Sequence, residues 1–76
     1  MKKALIKLST VQDIRNFVNI TATIDEDIDL SSGRYIVDAK SIMGIFSLDL
    51  LSPIELTVHA DNADDILSKF DAFIVK

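Results

Sequence analysis

The sequence contains no cysteine and no tryptophan, and only one proline, two glycines, one histidine and one tyrosine among 76 residues. Without cysteine, disulfides and thiolate metal ligands are excluded, and a reducing, cytoplasmic setting is compatible with the chain. Two glycines are too few for a phosphate-cradling glycine loop, and a single histidine leaves no Ser/His/Asp triad that the spacing supports. Long apolar runs are absent too. Ile42-Met43-Gly44-Ile45-Phe46 is as long as they become, against the roughly 18 residues that a membrane-spanning helix needs. Met1-Lys2-Lys3 is basic, but the apolar stretch after it is broken at Lys7 and carries no small-residue cleavage site. It reads as a strand rather than a signal peptide.

Positive charge is also scarce. Twelve acids stand against eight bases, for a net charge of −4, and the bases are scattered along the chain. Nucleic-acid binding needs clustered Lys and Arg to neutralise phosphates, so that class is set aside. The acids gather at Asp25-Glu26-Asp27-x-Asp29 and at Asp61, Asp64 and Asp65, a distribution suited to protein partners. The first run lacks the glycine and terminal glutamate of a calcium loop. Asn19-Ile20-Thr21 fits a glycosylation acceptor but lies in a predicted helix with no secretory signal before it.

What is present is apolar periodicity, with 49% hydrophobic residues in a length that allows one domain, residues 1–76. Lys3 to Leu8 alternates, with Ala4, Ile6 and Leu8 on one face, and predicts a strand. Ser9 and Thr10 are candidate helix caps, Ser9-x-x-Gln12 having the spacing of a capping box. Val11, Ile14, Phe17, Val18 and Thr21 follow at helical intervals. Asp25 to Leu30 alternates again, Ser31-Ser32-Gly33 reads as a hairpin turn, and Arg34 to Ala39 returns with Tyr35, Val37 and Ala39 on one side. Ser41 caps a short apolar helix from Ile42 to about Asp49, and Ser52-Pro53 marks a break. Ile54 to Ala60 is a strand with Ile54, Leu56, Val58 and Ala60 inward and Glu55, Thr57 and His59 outward. Asp61 and Asn62 open a last helix whose buried stripe is Ile66, Leu67, Phe70, Phe73 and Ile74. The order β-α-β-β-α-β-α calls for an antiparallel four-stranded sheet covered on one face by three helices.

The segment Lys40-Ser41-Ile42-Met43-Gly44-Ile45-Phe46-Ser47-Leu48 resembles the regulatory-serine signature of HPr, the histidine-containing phosphocarrier family of the bacterial sugar phosphotransferase system. The resemblance runs from about Asp27 to Asp65, through the Ser-Gly hairpin and the Glu-x-Thr-x-x-Ala pattern of Glu55 to Ala60. It implies the HPr-like open-faced α+β sandwich. It also implies an active histidine at the start of the first helix, in a His-Ala-Arg-Pro context after a glycine. Here that stretch is Leu8-Ser9-Thr10-Val11-Gln12-Asp13. Thr10 lies nearest the histidine position, Gln12 the arginine and Asp13 the proline, and the preceding loop reads as shortened.

Relay onward from enzyme I needs a nitrogen nucleophile that forms a labile phosphoramidate. A threonine phosphoester at Thr10 would trap phosphate without passing it on, and Asp13 sets a negative charge where phosphate would dock. His59, mid-strand with only Glu55 and Thr57 on its face, reads as an isolated surface imidazole rather than a metal ligand. For Ser41 two readings stand: a helix cap alone, or the regulatory phosphorylation site of an HPr kinase that the resemblance implies. Ile42, Met43 and Phe46 likewise read either as core or as the family's exposed partner-docking patch.

The expectation is a non-enzymatic, cytoplasmic HPr-like protein with no metal or cofactor. It would bind protein partners such as HPr kinase or phosphotransferase-system regulators through Ile42, Met43 and Phe46, switched at Ser41. The alternatives are a divergent phosphocarrier and a purely structural or oligomerisation module, and the sequence leaves the oligomeric state open.

Overall fold

A computed structural model describes residues 2–75. Four strands, β1 (Lys2–Ile6), β2 (Asp27–Ser32), β3 (Tyr35–Asp38) and β4 (Ile54–His59), alternate with helices α1 (Val11–Thr21), α2 (Ile42–Phe46) and α3 (Ala63–Ser68). A 3-10 turn over Asp71–Phe73 closes the chain. The sheet is wholly antiparallel in the order β1-β4-β2-β3. This is the HPr-like open-faced sandwich expected from the sequence, with the helices on one face and the other face open.

Alternation decides which face is which. Ile6, Ile28, Leu30, Ile54, Leu56 and Val58 point into one core with Ile14, Phe17, Ile45, Ala63 and Ile66 from the helices and Phe70 just after α3. Phe17 lies at its centre, its ring centroid 5.1 Å from that of Phe70 and 5.8 Å from that of Phe73. Aromatic pairs at such spacings add to the burial of their area. Among the described residues no buried side-chain nitrogen or oxygen lacks a partner. Thr21, wholly buried, donates its hydroxyl to the Val18 carbonyl at 2.8 Å.

Several boundaries differ from the sequence reading, each for a local reason. β1 ends at Ile6 rather than Leu8, because the Lys7 N–H turns to the Phe73 carbonyl at 2.9 Å while Leu8 stays buried. The box that opens α1 is not Ser9 with Gln12 but Thr10 with Asp13, one residue later, so Val11 falls at the first helical position and is 61% exposed rather than on the buried stripe. β2 begins at Asp27, not Asp25, and keeps Ser31 and Ser32 in pairing, with Ser32 opposite Tyr35. The hairpin turn is therefore Gly33-Arg34, where Gly33 adopts φ +59°. α2 stops at Phe46 instead of Asp49, although Ile45 and Leu48 are buried and Leu50 packs half-buried on the core. β4 ends at His59, leaving Ala60 half-buried.

The last predicted helix divides. Asn62 precedes α3 with no side-chain cap bond, α3 ends at Ser68, and Phe73 lies in the 3-10 turn. Ile74 is not helical but bridges Ile6, and the Val75 N–H donates to the Leu5 carbonyl at 2.8 Å. The C-terminal segment thus pairs with the end of β1, from Leu5 to Lys7.

The positive φ at Gly33 is costly for any side chain, though its surroundings are open. Gly33→Ala should therefore lower stability by roughly 1–2 kcal/mol, read from urea denaturation midpoints at unchanged m.

Candidate functional site

Thr10 and Ser41 each stand at the start of a helix. Thr10 is extended at φ −129°, and its Oγ1 accepts the Asp13 N–H at 3.0 Å. The Asp13 carboxylate reaches back to accept the N–H groups of Ser9 at 3.1 Å and Thr10 at 3.2 Å. Asp13 thus ties up the N–H of the cap residue and of the residue before it, and sets a negative charge at the helix start where an anion would approach the first-turn N–H groups. The hydroxyl and the carboxylate form one reciprocal cap. Thr10→Ala should cost about 1 kcal/mol of stability, and a double-mutant cycle with Asp13→Ala should return a coupling of at least a few tenths of a kcal/mol, read by chemical denaturation.

Ser41 is exposed. Its Oγ accepts the Gly44 N–H at 3.2 Å, and its own N–H donates to the Asp38 carbonyl at 3.0 Å. Gly44 lets this turn sit close to the sheet, since a Cβ there would meet the Val37 Cβ at 3.2 Å and the Ser41 Oγ at 3.4 Å. α2 has only five residues, so its dipole is smaller than that of a full helix, and its first N–H groups are the stronger feature.

Ile42, Met43 and Phe46 are exposed by 37%, 76% and 46%. None is core, which resolves one of the two readings of these side chains. Ile45, one position on from Gly44, takes the buried place instead. Ile42 also lines a cleft with Gln12, Arg15, Val18 and Asn19 of α1, so the start of α2 adjoins the flank of α1.

His59 lies elsewhere, on the open sheet face. It is not isolated: its Nε2 meets the Asp29 Oδ2 at 2.8 Å. Asp27 is its direct cross-strand partner, and Asp38 closes the same shallow depression. Sequence reading along one strand missed these neighbours, because they come from β2 and β3. Among the described residues no group of three or more His, Asp or Glu side chains is arranged to hold a metal ion. Nor is any helix there long and apolar enough to cross a membrane.

The architecture is that of a small α+β domain whose four-stranded antiparallel sheet is covered on one face by helices. The family model described as the PTS HPr component phosphorylation site matches residues 12–75, and the chain belongs to this HPr family of the phosphotransferase system. The crystal structure of HPr-C-His from Thermoanaerobacter tengcongensis is similar at 25% identity and a TM-score of 0.77, over 91% of this chain and 85% of that one. A phosphocarrier protein HPr from Bacillus anthracis str. Ames is 27% identical with a TM-score of 0.74, over 97% and 94% of the two chains. The histidine-containing phosphocarrier protein of Mycoplasma shares the fold at 13% identity and a TM-score of 0.74, over 93% and 86%. No curated protein sequence matches the chain significantly. The family match begins at Gln12, two residues beyond Thr10.

Proposed function

We propose that this chain is a regulatory, protein-binding member of the HPr family that does not relay phosphate through histidine. It would work in the cytoplasm, docking protein partners on Ile42, Met43 and Phe46, with Ser41 as the site where an HPr kinase adds phosphate. The observation that carries the reading is the start of α1. The residue nearest the family's histidine is Thr10, its hydroxyl accepts the Asp13 N–H, and the Asp13 carboxylate occupies the N–H groups beside it. The sole histidine is in β4 on the open sheet face, bonded to Asp29.

Two features support the regulatory side. Ser41 is exposed, and phosphate on its Oγ would remain beside the first N–H groups of α2, where added charge is tolerated. Next to it, three large apolar side chains stay in solvent, as contact surfaces do.

Incubation with enzyme I and phosphoenolpyruvate, and separately with HPr kinase and ATP, tests the proposal by intact mass. The expected result is no adduct from enzyme I and one phosphate from the kinase, lost in Ser41→Ala. An acid-labile adduct from enzyme I would establish a phosphocarrier. No adduct from either would leave a binding module without the switch.

A further inference from the structure

The two edges of the sheet are treated differently. The outer edge of β1 is paired at its end, from Leu5 to Lys7, with Phe73, Ile74 and Val75. The outer edge of β3 meets no strand among the described residues, and its Tyr35 and Ile36 are 70% and 71% exposed. Edges of this kind are blunted by proline, charge, a bulge or shortness; β3, Tyr-Ile-Val-Asp, is short and ends in a carboxylate but has neither proline nor lysine among its four residues.

The backbone there is set for pairing. The Ala39 N–H donates inward to the Ile28 carbonyl at 2.9 Å, and Val37 and Tyr35 follow it at intervals of two, opposite Leu30 and Ser32. By antiparallel alternation, the N–H and C=O groups of Ile36 and the N–H of Asp38 point away from the sheet.

We propose that the outer edge of β3 pairs antiparallel with β3 of a second copy about a two-fold axis at Ile36, joining two sheets into one of eight strands. Side chains directly opposite must share a face, which restricts the two-fold to registers centred on a residue. Centred on Ile36, the outward backbone groups of the two Ile36 residues face each other. Arg34 then lies opposite the partner copy's Asp38, Ile36 opposite Ile36, and Tyr35 opposite Val37. Charges meet opposite charges and apolar residues meet apolar ones. Centring on Val37 instead would leave the same outward backbone groups paired but would set Arg34 against Lys40 and Ile36 against Asp38, a like-charge pair and an apolar residue against a carboxylate. The side chains are therefore self-complementary in the register centred on Ile36, a pattern that favours a second copy over an unrelated peptide.

Pairing over about five residues is far smaller than a standard interface, so a dissociation constant on the order of 0.1 mM is expected. Sedimentation and rotational diffusion of the full chain up to about 2 mM should show a reversible monomer–dimer equilibrium. Arg34→Asp should weaken it on the order of tenfold, and Ile36→Lys at least as much, with Arg34→Asp combined with Asp38→Arg restoring it.

Asp38 also accepts the Lys40 N–H at 2.9 Å, so the double variant is interpreted only where circular dichroism shows it folded. Ile36→Cys gives an independent reading in a chain that has no other thiol. It should oxidise to a covalent dimer much faster than Ala22→Cys, an exposed control. A monomer at every concentration overturns the proposal. So does a dimer indifferent to Arg34→Asp and Ile36→Lys, a folded double variant that is not restored, or Ile36→Cys cross-linking no faster than the control.

Discussion

Phe17→Ala should leave the chain largely without a fixed tertiary structure. Truncating a wholly buried phenylalanine costs about 3–5 kcal/mol, and at roughly 0.05–0.15 kcal/mol per residue a domain of this length has only about 4–11 kcal/mol to lose. Phe17 is the worst place to open a cavity, since its ring contacts both Phe70 and Phe73, and Phe73 begins the segment that pairs with the end of β1. Loss of that packing loosens the C-terminal turn as well as α1. Urea denaturation should give a midpoint near zero or a sharply reduced one, with near-ultraviolet circular dichroism lost before the far-ultraviolet signal. Phe46→Ala is the contrast. Phe46 is nearly half exposed, and its removal should cost no more than about 1 kcal/mol. Equal losses at the two positions would mean that Phe46 belongs to the core and not to a docking surface.

The difference between these two phenylalanines is only half legible in the sequence. Phe17 falls on a long, regular 3.6-residue stripe, and that periodicity alone is enough to predict its burial. Phe46 sits in a five-residue helix, too short for periodicity to separate an inward from an outward face, and tertiary packing decides it. The same holds elsewhere. Strict alternation places β4 and its outward His59 correctly. Asp29, the partner of that histidine, is thirty residues away in β2, and no spacing within a strand reports a cross-strand neighbour. At the start of α1 two adjacent hydroxyls offer caps, and the spacing to Gln12 favours Ser9. The choice of Thr10 depends on Asp13 reaching two N–H groups at once, and moving the cap by one residue carries Val11 out of the core. The C-terminal stripe reads as one helix because Phe70, Phe73 and Ile74 keep helical intervals. Edge pairing with Ile6 and Leu5 outweighs that intrinsic pattern.

The start of α1 gives the second large effect. If the missing imidazole is what removes relay, then installing it without relieving the cap should succeed only weakly. In Thr10→His alone, the Asp13 carboxylate would remain on the Ser9 and Thr10 N–H groups, adjacent to any phosphoryl group on the new ring. Two unit charges about 4 Å apart repel by about 4 kcal/mol at an effective dielectric of 20. Solvent and salt at this exposed helix end reduce that to roughly 1.5–3 kcal/mol, a factor of about ten to a hundred in rate. Thr10→His with Gln12→Arg and Asp13→Pro removes the carboxylate, supplies a cation, and places proline in the first turn, where a helix tolerates it. With enzyme I and phosphoenolpyruvate, the wild type should gain no phosphate, the single variant a slow partial adduct, and the triple variant a near-stoichiometric acid-labile one. Met43→Asp added to the triple variant should abolish the gain if enzyme I docks on the α2 surface, because a charge would then be buried among apolar contacts. A folded triple variant that stays unphosphorylated would place the block in partner recognition and not in the chemistry of Thr10 and Asp13.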